Sequence, residues 1–151
     1  MRKTRYILTL LLLFTNISFA QQNEINIKAT LNTNANSLNV QQEIIYYNNS
    51  KKTLNHIFLH NWANSFKDRK TPLSKRFIED FRKDLYFAKQ EDLGFSEVKN
   101  ISINYNNITY KELKKRKDII QLFLENALKP NESVTINITY IVKIPNAKYT
   151  G

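Results

Sequence analysis

Apolar and polar residues alternate along much of the chain. The clearest run places apolar residues at every second position from Val134 to Val142. Because successive side chains of a strand point to opposite faces, this period predicts a strand with one buried face. The same period predicts further strands over residues 24–31, 38–47, 54–62, 98–105, 108–110 and 119–124. Strands at a spacing of about ten residues predict an all-β fold, either a sandwich or a saddle-shaped, mostly antiparallel sheet.

One of these strands looks apolar on both faces. Residues 54–62 place Ile57 and Leu59 on one face and Phe58 on the other. A strand that is buried on both faces lies in the middle of a sheet. The pattern therefore predicts a central strand at this position.

A helical period occurs once. Phe77, Ile78 and Phe81 recur at the spacing of a helix face, which predicts one short helix over residues 74–83. Residues 85–92 are ambiguous, because their helix formers are offset by two aromatic residues. The predicted domain thus combines about seven strands with one short helix.

Asparagine takes the place of glycine in the turns. The chain has only two Gly but twenty Asn, and Asn tolerates turn conformations well. Residues 48–51 predict a hairpin turn after the second strand. Residues 129–133, with Pro130 at the second position, predict the turn before the last strand.

The first twenty residues have the order of a secretory signal peptide. Basic residues precede an apolar run from Tyr6 to Phe14, and small residues follow at Ser18 and Ala20. The run has about half of the roughly twenty residues that a membrane-spanning helix needs. We therefore expect cleavage of residues 1–20 after Ala20, an exported chain that is periplasmic or secreted, and no stable membrane anchor after cleavage. Residues 21–151 have the usual size of one domain.

The composition restricts the chemistry of the chain. There is no Cys, which excludes disulfides and thiolate metal sites. The formal net charge is +10, but Lys and Asn are enriched together, so we interpret the charge as a compositional bias and expect no nucleic-acid partner. The basic run from Lys114 to Lys117 is interpreted as a solvated hairpin tip.

His56 and His60 are the only histidines, and their spacing suggests zinc. Two His four residues apart share one face of a helix, but on a strand the same separation spans about 13 Å. Two ligands that each lie about 2 Å from one zinc ion cannot meet over that distance. Ile57 also follows the first His, where a zinc peptidase helix carries Glu. We interpret both histidines as structural.

Other catalytic groups are not recognisable in the chain. The acid pairs Glu79-Asp80 and Glu91-Asp92 are adjacent in sequence, so their side chains point in different directions and indicate solvated surface. With two Gly in the chain there is no G-x-S-x-G, P-loop or G-x-G-x-x-G motif. No catalytic, cofactor-binding or metal-binding residue is predicted.

Three segments in chain order resemble segments of a known family. The first is Tyr47-Asn48-Asn49-Ser50 with Thr53-Leu54 and Ile57-Phe58-Leu59-His60-Asn61-Trp62-Ala63-Asn64-Ser65-Phe66. The second is Lys70-Thr71-Pro72-Leu73-Ser74-Lys75, then Phe87-Ala88, then Glu91-Asp92-Leu93-Gly94-Phe95. The third is Leu128-Lys129-Pro130-Asn131-Glu132-Ser133-Val134 followed by Val142-Lys143-Ile144-Pro145. Together they resemble the amino-terminal domain of the aminopeptidase N family of zinc metallopeptidases, in the form exported by Bacteroidetes-type bacteria.

The resemblance implies a non-catalytic β domain that packs on a peptidase domain and limits access to its cleft. Asn61, Ala63 and Asn131 depart from the family's usual residues and indicate a divergent member. The family's zinc helix, His-Glu-x-x-His, and its Gly-x-Met-Glu-Asn loop lie in the following domain. No catalytic residue is therefore carried over, and zinc is expected only in that domain, which is the expected partner. We expect residues 1–151 to be a fragment of such a protein.

A second hypothesis comes from a different class of protein. The same strands and turns suit a free-standing secreted or periplasmic β-sandwich that acts as a binding module. A family domain without its partner should instead expose an apolar docking patch that includes Trp62 and Phe66, and it should self-associate.

Overall fold

The computed structural model describes residues 22–150. Its strands are β1 (Glu24–Asn32), β2 (Ser37–Tyr47), β3 (Leu54–His60), β4 (Phe95–Ile103), β5 (Asn106–Asn107), β6 (Tyr110–Leu113), β7 (Arg116–Leu128) and β8 (Ser133–Lys143). Its helix is α1 (Pro72–Glu79), and 3-10 turns occur at Trp62–Phe66, Gln90–Asp92 and Ala147–Tyr149. The predicted signal peptide, residues 1–20, lies outside the described residues.

The strands form two antiparallel sheets of unequal width. The wider sheet has five strands in the order β1-β2-β8-β4-β5, and the narrower has three in the order β3-β7-β6. The inner faces of both sheets contribute to one hydrophobic core, with Ile44, Ile101, Ile136 and Ile138 from the wide sheet and Leu122 from the narrow one. The predicted all-β, mostly antiparallel sandwich with one short helix is confirmed.

Two details of the predicted topology are wrong. β3 is an edge strand of the narrow sheet, whose central strand is β7, and Phe58 is half exposed on the outer face. An apolar residue on an outer face carries the same period as a buried one, so periodicity alone misplaced the strand. The turn at residues 48–51 is not a hairpin, because β2 and β3 belong to different sheets.

The helix begins earlier and ends earlier than its period predicted. The Thr71 hydroxyl caps its start and accepts a hydrogen bond from the Ser74 amide, and Pro72 occupies the first turn, where its missing amide costs nothing. The chain leaves the helix at Phe81, which adopts a left-handed backbone conformation with φ of 61°. This turn places Phe81 outside the helix, although the residue fitted the helical period.

A second, smaller core anchors the segment that follows the helix. Leu85, Leu93 and Tyr149 are buried together, with Phe66 and Phe77 packed against them. The ambiguous residues 85–92 form turns and a short 3-10 segment instead of a helix or strand. Tyr149, close to the end of the described residues, thus holds this loop layer to the sandwich.

Asparagine does supply the turn conformations. Asn36, Asn104 and Asn131 have positive φ angles of 46°, 48° and 64°. Such angles are accessible to Asn at lower cost than to most other side chains. The prediction that Asn replaces Gly in the turns is confirmed at these three positions.

Candidate docking face

β1 is an edge strand of the wide sheet, and all of its residues are exposed. Ile25, Ile27 and Leu31 pair with Ile44, Gln42 and Leu38 of β2 and so point to the side of the wide sheet that carries the core. The wide sheet has two strands more than the narrow one, and each of the three β1 side chains is 57% exposed. The prediction of a half-buried strand over residues 24–31 is wrong for this reason. An apolar strand face is left uncovered.

A groove continues this apolar face between the two sheets. It has a volume of about 280 Å³, and Ile25, Val98 and Tyr140 line its wide-sheet side. Leu59 and Trp62 line the opposite side, and Trp62 is 63% exposed. We call β1 and this groove the docking face. Its lining is mainly apolar, which is typical of a surface that another apolar surface covers.

The predicted patch of Trp62 and Phe66 is only half present. Trp62 is exposed and lies in the groove, but Phe66 is partly buried and packs against the second core. The two residues stand at opposite ends of one 3-10 turn, Trp62–Phe66, which points them in different directions. Of the exposed β1 side chains, Ile25 lines the groove together with Trp62.

The groove has one polar corner. The Ser96 hydroxyl donates a short hydrogen bond to Asn61 Oδ1, and the Ser96 amide donates to Asn64 Oδ1 over 3.0 Å. The Nδ2 atoms of Asn61 and Asn64 are buried and have no hydrogen-bond partner among residues 22–150. A buried donor without a partner is unfavourable by about 1–3 kcal/mol. Of the two residues, Asn61 lines the groove.

The two histidines lie on the exposed strand β3. The His56 ring packs edge-on against Phe58 at 5.0 Å, and the His60 ring packs against Trp62 at 6.3 Å. Both distances join ring centroids. Within residues 22–150 no three His, Asp or Glu side chains are grouped closely enough to hold a metal ion. The absence of a metal site from the chain stays a prediction.

The acid pairs lie at the surface, as their sequence positions predicted. Glu79, Asp80 and Glu91 are exposed, and Asp80 forms an exposed ion pair with Arg76 at 3.8 Å. Asp92 is partly buried, and its backbone carbonyl accepts from the Asn146 amide over 2.9 Å. None of these carboxylates faces the docking groove.

Two carboxylates beside the β6–β7 hairpin hold perturbed pKa values. Asp118 accepts hydrogen bonds from Arg116 Nε and Nη2 at 3.0 and 2.9 Å, and the guanidinium lowers the pKa of Asp118 below its ordinary value. Burial acts to raise the pKa of Asp68, but the hydrogen bond from Lys117 and that from the Lys70 amide outweigh it and lower the pKa. Both carboxylates are therefore structural anions.

The three family-like segments meet in space. Fully buried Asn48, in the first segment, exchanges backbone hydrogen bonds of 2.9 Å with Asn131 and Glu132 of the third. Its side chain also donates to the carbonyl of Leu128 over 3.0 Å. These bonds tie together the two turns that connect the sheets. The segments are thus parts of one structural unit rather than separate turns.

Comparison with solved structures finds chains of similar fold. No family model and no curated protein matches the chain. The fold is similar to part of a crystal structure of a two-domain M1 zinc metallopeptidase, a mutant bound to L-arginine, with 11% identity and a TM-score of 0.47. The match covers 82% of this chain and 20% of the neighbour, so the chain spans about a fifth of that protein's length. A likeness of this size gives no information on activity. Within residues 22–150, no helix is long and apolar enough to cross a bilayer.

Proposed function

We propose that residues 22–150 form a non-catalytic domain of an exported zinc metallopeptidase of the aminopeptidase type. The domain packs on the peptidase domain through the docking face and limits access to the catalytic cleft. Zinc and all catalytic groups belong to the peptidase domain. The three family-like sequence segments support the choice of family.

The observation that carries this proposal is the uncovered apolar face of β1. Ile25, Ile27 and Leu31 each expose more than half of their surface on the core side of the wide sheet. Burying the exposed parts contributes about 1 kcal/mol for each side chain. Trp62 adds an exposed aromatic side chain to the groove, and Trp is enriched among interface hot spots. Such a face suits a permanent neighbour better than open solvent.

The proposal is tested by sequencing the genomic DNA beyond the codon of Gly151. It predicts an in-frame continuation that encodes His-Glu-x-x-His and a downstream Glu. A stop codon directly after Gly151 in the natural gene would overturn it, because the peptidase domain would then be missing from the protein.

One observation favours the binding-module hypothesis as the second candidate. Asn61, whose buried Nδ2 atom has no hydrogen-bond partner among residues 22–150, lines an apolar groove, and small-ligand sites combine apolar walls with a few polar groups. Under this hypothesis the natural protein ends at Gly151 and is a stable monomer. Sedimentation of the purified chain distinguishes the two, since an uncovered domain face promotes self-association.

A further inference from the structure

The positive charge of the chain is concentrated in two segments. Residues 67–89 and 111–118 together contain 13 Lys and Arg against six Asp and Glu. The rest of residues 22–150 contains seven basic and seven acidic residues and is neutral. The whole surplus of seven positive charges therefore belongs to these two segments. A general compositional bias, as inferred from the sequence, does not explain such a distribution.

The fold brings the two segments together. Lys117 Nζ lies 2.5 Å from a carboxylate oxygen of Asp68, and Lys67 Nζ lies 3.9 Å from one of Glu112. These ion pairs join the β6–β7 hairpin to the loop before α1. We call residues 67–89 and 111–118 the basic end. The two segments are therefore in contact, and their surplus of positive charge attracts anionic surfaces.

Exposed aromatic rings lie within the basic end. Phe81 is 91% exposed and Phe87 is 73% exposed. The ring of Phe87 packs against that of Tyr86 with centroids 5.1 Å apart, and the Arg69 guanidinium lies 5.9 Å from the Tyr86 centroid. At Tyr86 a cation and two aromatic rings thus lie together, a combination found in segments that bind at the membrane interface.

The backbone at Phe81 supports a role for its ring. Its φ of 61° is the left-handed conformation that normally ends a helix with Gly. A bulky side chain in this conformation is strained, and here the ring gains no packing in return. A strained residue whose apolar ring is exposed to solvent suggests that the ring binds an external apolar surface.

We propose that the basic end binds the surface of an anionic lipid membrane. Lys and Arg side chains neutralise lipid phosphates, and Phe81 and Phe87 enter the boundary between headgroups and acyl chains. This binding is peripheral and reversible, and it is independent of the docking face. Sequence-specific nucleic-acid binding needs polar side chains that hydrogen-bond to base edges, and Phe has no such group. The exposed Phe rings therefore favour a lipid surface over a specific nucleic-acid sequence.

The experiment measures co-sedimentation of the purified chain with vesicles. Phosphatidylcholine vesicles are compared with equal mixtures of phosphatidylcholine and phosphatidylglycerol at low and raised salt. We expect binding to the anionic vesicles alone, weakened by salt. Phe81→Gly should reduce binding about tenfold, and the pair Lys114→Gln with Lys115→Gln by a similar factor or more.

Tyr105→Gly is the matched control. Tyr105 is also exposed, at 82%, and also has a positive φ, of 68°, but it lies outside the basic end. It should leave vesicle binding unchanged, and both Gly variants should remain folded by circular dichroism because Gly suits these angles.

Four results would overturn the proposal. One is equal binding to neutral and anionic vesicles. Another is equal loss, or no loss, of binding in the Phe81→Gly and Tyr105→Gly variants. The third is binding of a single-stranded oligonucleotide that is tighter than vesicle binding and insensitive to Phe81→Gly, which would assign the basic end to nucleic acid. Competition by soluble glycerol phosphate at the concentration of lipid headgroups would likewise indicate a free-anion site in place of a membrane surface.

Discussion

Gly94 lies against the ring of Pro145 so closely that a Cβ atom on Gly94 would be 2.5 Å from Pro145 Cδ. The contact joins the loop before β4 to the chain after β8, and thus the second family-like segment to the third. The hydrogen bond from the Asn146 amide to the Asp92 carbonyl, of 2.9 Å, closes the same junction. The φ angle of Gly94 is not positive, so the backbone conformation does not require Gly. Gly is required because only a residue without a side chain allows this close approach.

Gly94→Ala should therefore destabilise the domain by about 1–3 kcal/mol, because the new methyl group overlaps the Pro145 ring. Urea unfolding followed by circular dichroism measures the change. The matched double variant, Gly94→Ala with Pro145→Ala, should recover part of the loss. An unchanged unfolding midpoint in Gly94→Ala would contradict this account of the junction.

Asn48→Ala should destabilise the domain by about 2–4 kcal/mol. The substitution removes a donor to the Lys52 and Leu128 carbonyls and the acceptor of the Ser50 amide, and the bond to the Leu128 carbonyl is buried. Asn126→Ala, at an exposed position of β7, is the control and should change stability by less than about 0.5 kcal/mol. Similar midpoints for the two variants would show that the Asn48 network is not what ties the sheets together.

The docking face should be the main site of dye binding and of self-association in the isolated chain. Ile27→Thr combined with Trp62→Ser should lower the fluorescence of a bound anilinonaphthalene dye and reduce self-association, without a large loss of stability, because both side chains are exposed. Phe123→Ser removes a half-exposed aromatic residue from the opposite sheet and serves as the control. If Phe123→Ser lowers dye binding as much, the docking face is not the main apolar surface.

Stability should fall in acid partly through Asp118. Its folded-state pKa lies below the unfolded value of about 3.9, so its contribution is present above about pH 4 and is lost as the pH falls through the folded value. Asp118→Asn should cost about 1–2 kcal/mol at neutral pH and flatten the acid limb of the stability curve. Urea unfolding between pH 7 and about pH 3 measures both effects. An acid limb as steep as that of the parent chain would contradict this role.

The sequence predicted the elements better than their arrangement. The alternation of apolar and polar residues located the strands, because side chains point to opposite faces with a period of two in any strand. The alternation did not predict that β3 is an edge strand or that the β1 side chains are exposed. The order of strands in a sheet depends on contacts between distant residues, such as Ile25 and Ile44. Edge strands and central strands of this composition have the same local pattern.

The candidate site was only partly accessible to sequence reasoning. Trp62 was expected in an apolar patch, but its neighbours Ile25 and Val98 come from strands that are far away in the chain. The run Lys114–Lys117 was evident in the sequence, but its proximity to residues 67–89 depends on ion pairs between distant parts of the chain. A count of charges along the sequence would have revealed residues 67–89 and 111–118.

The central claim is that the docking face is covered by a peptidase domain. Hydroxyl-radical footprinting with mass spectrometry tests it directly, by comparing Trp62 and residues 24–32 in the chain alone and in the protein translated from the full natural reading frame. We expect rapid oxidation of Trp62 in the chain alone and strong protection in the longer protein. Equal oxidation in the two, or a natural reading frame that ends at Gly151, would contradict it.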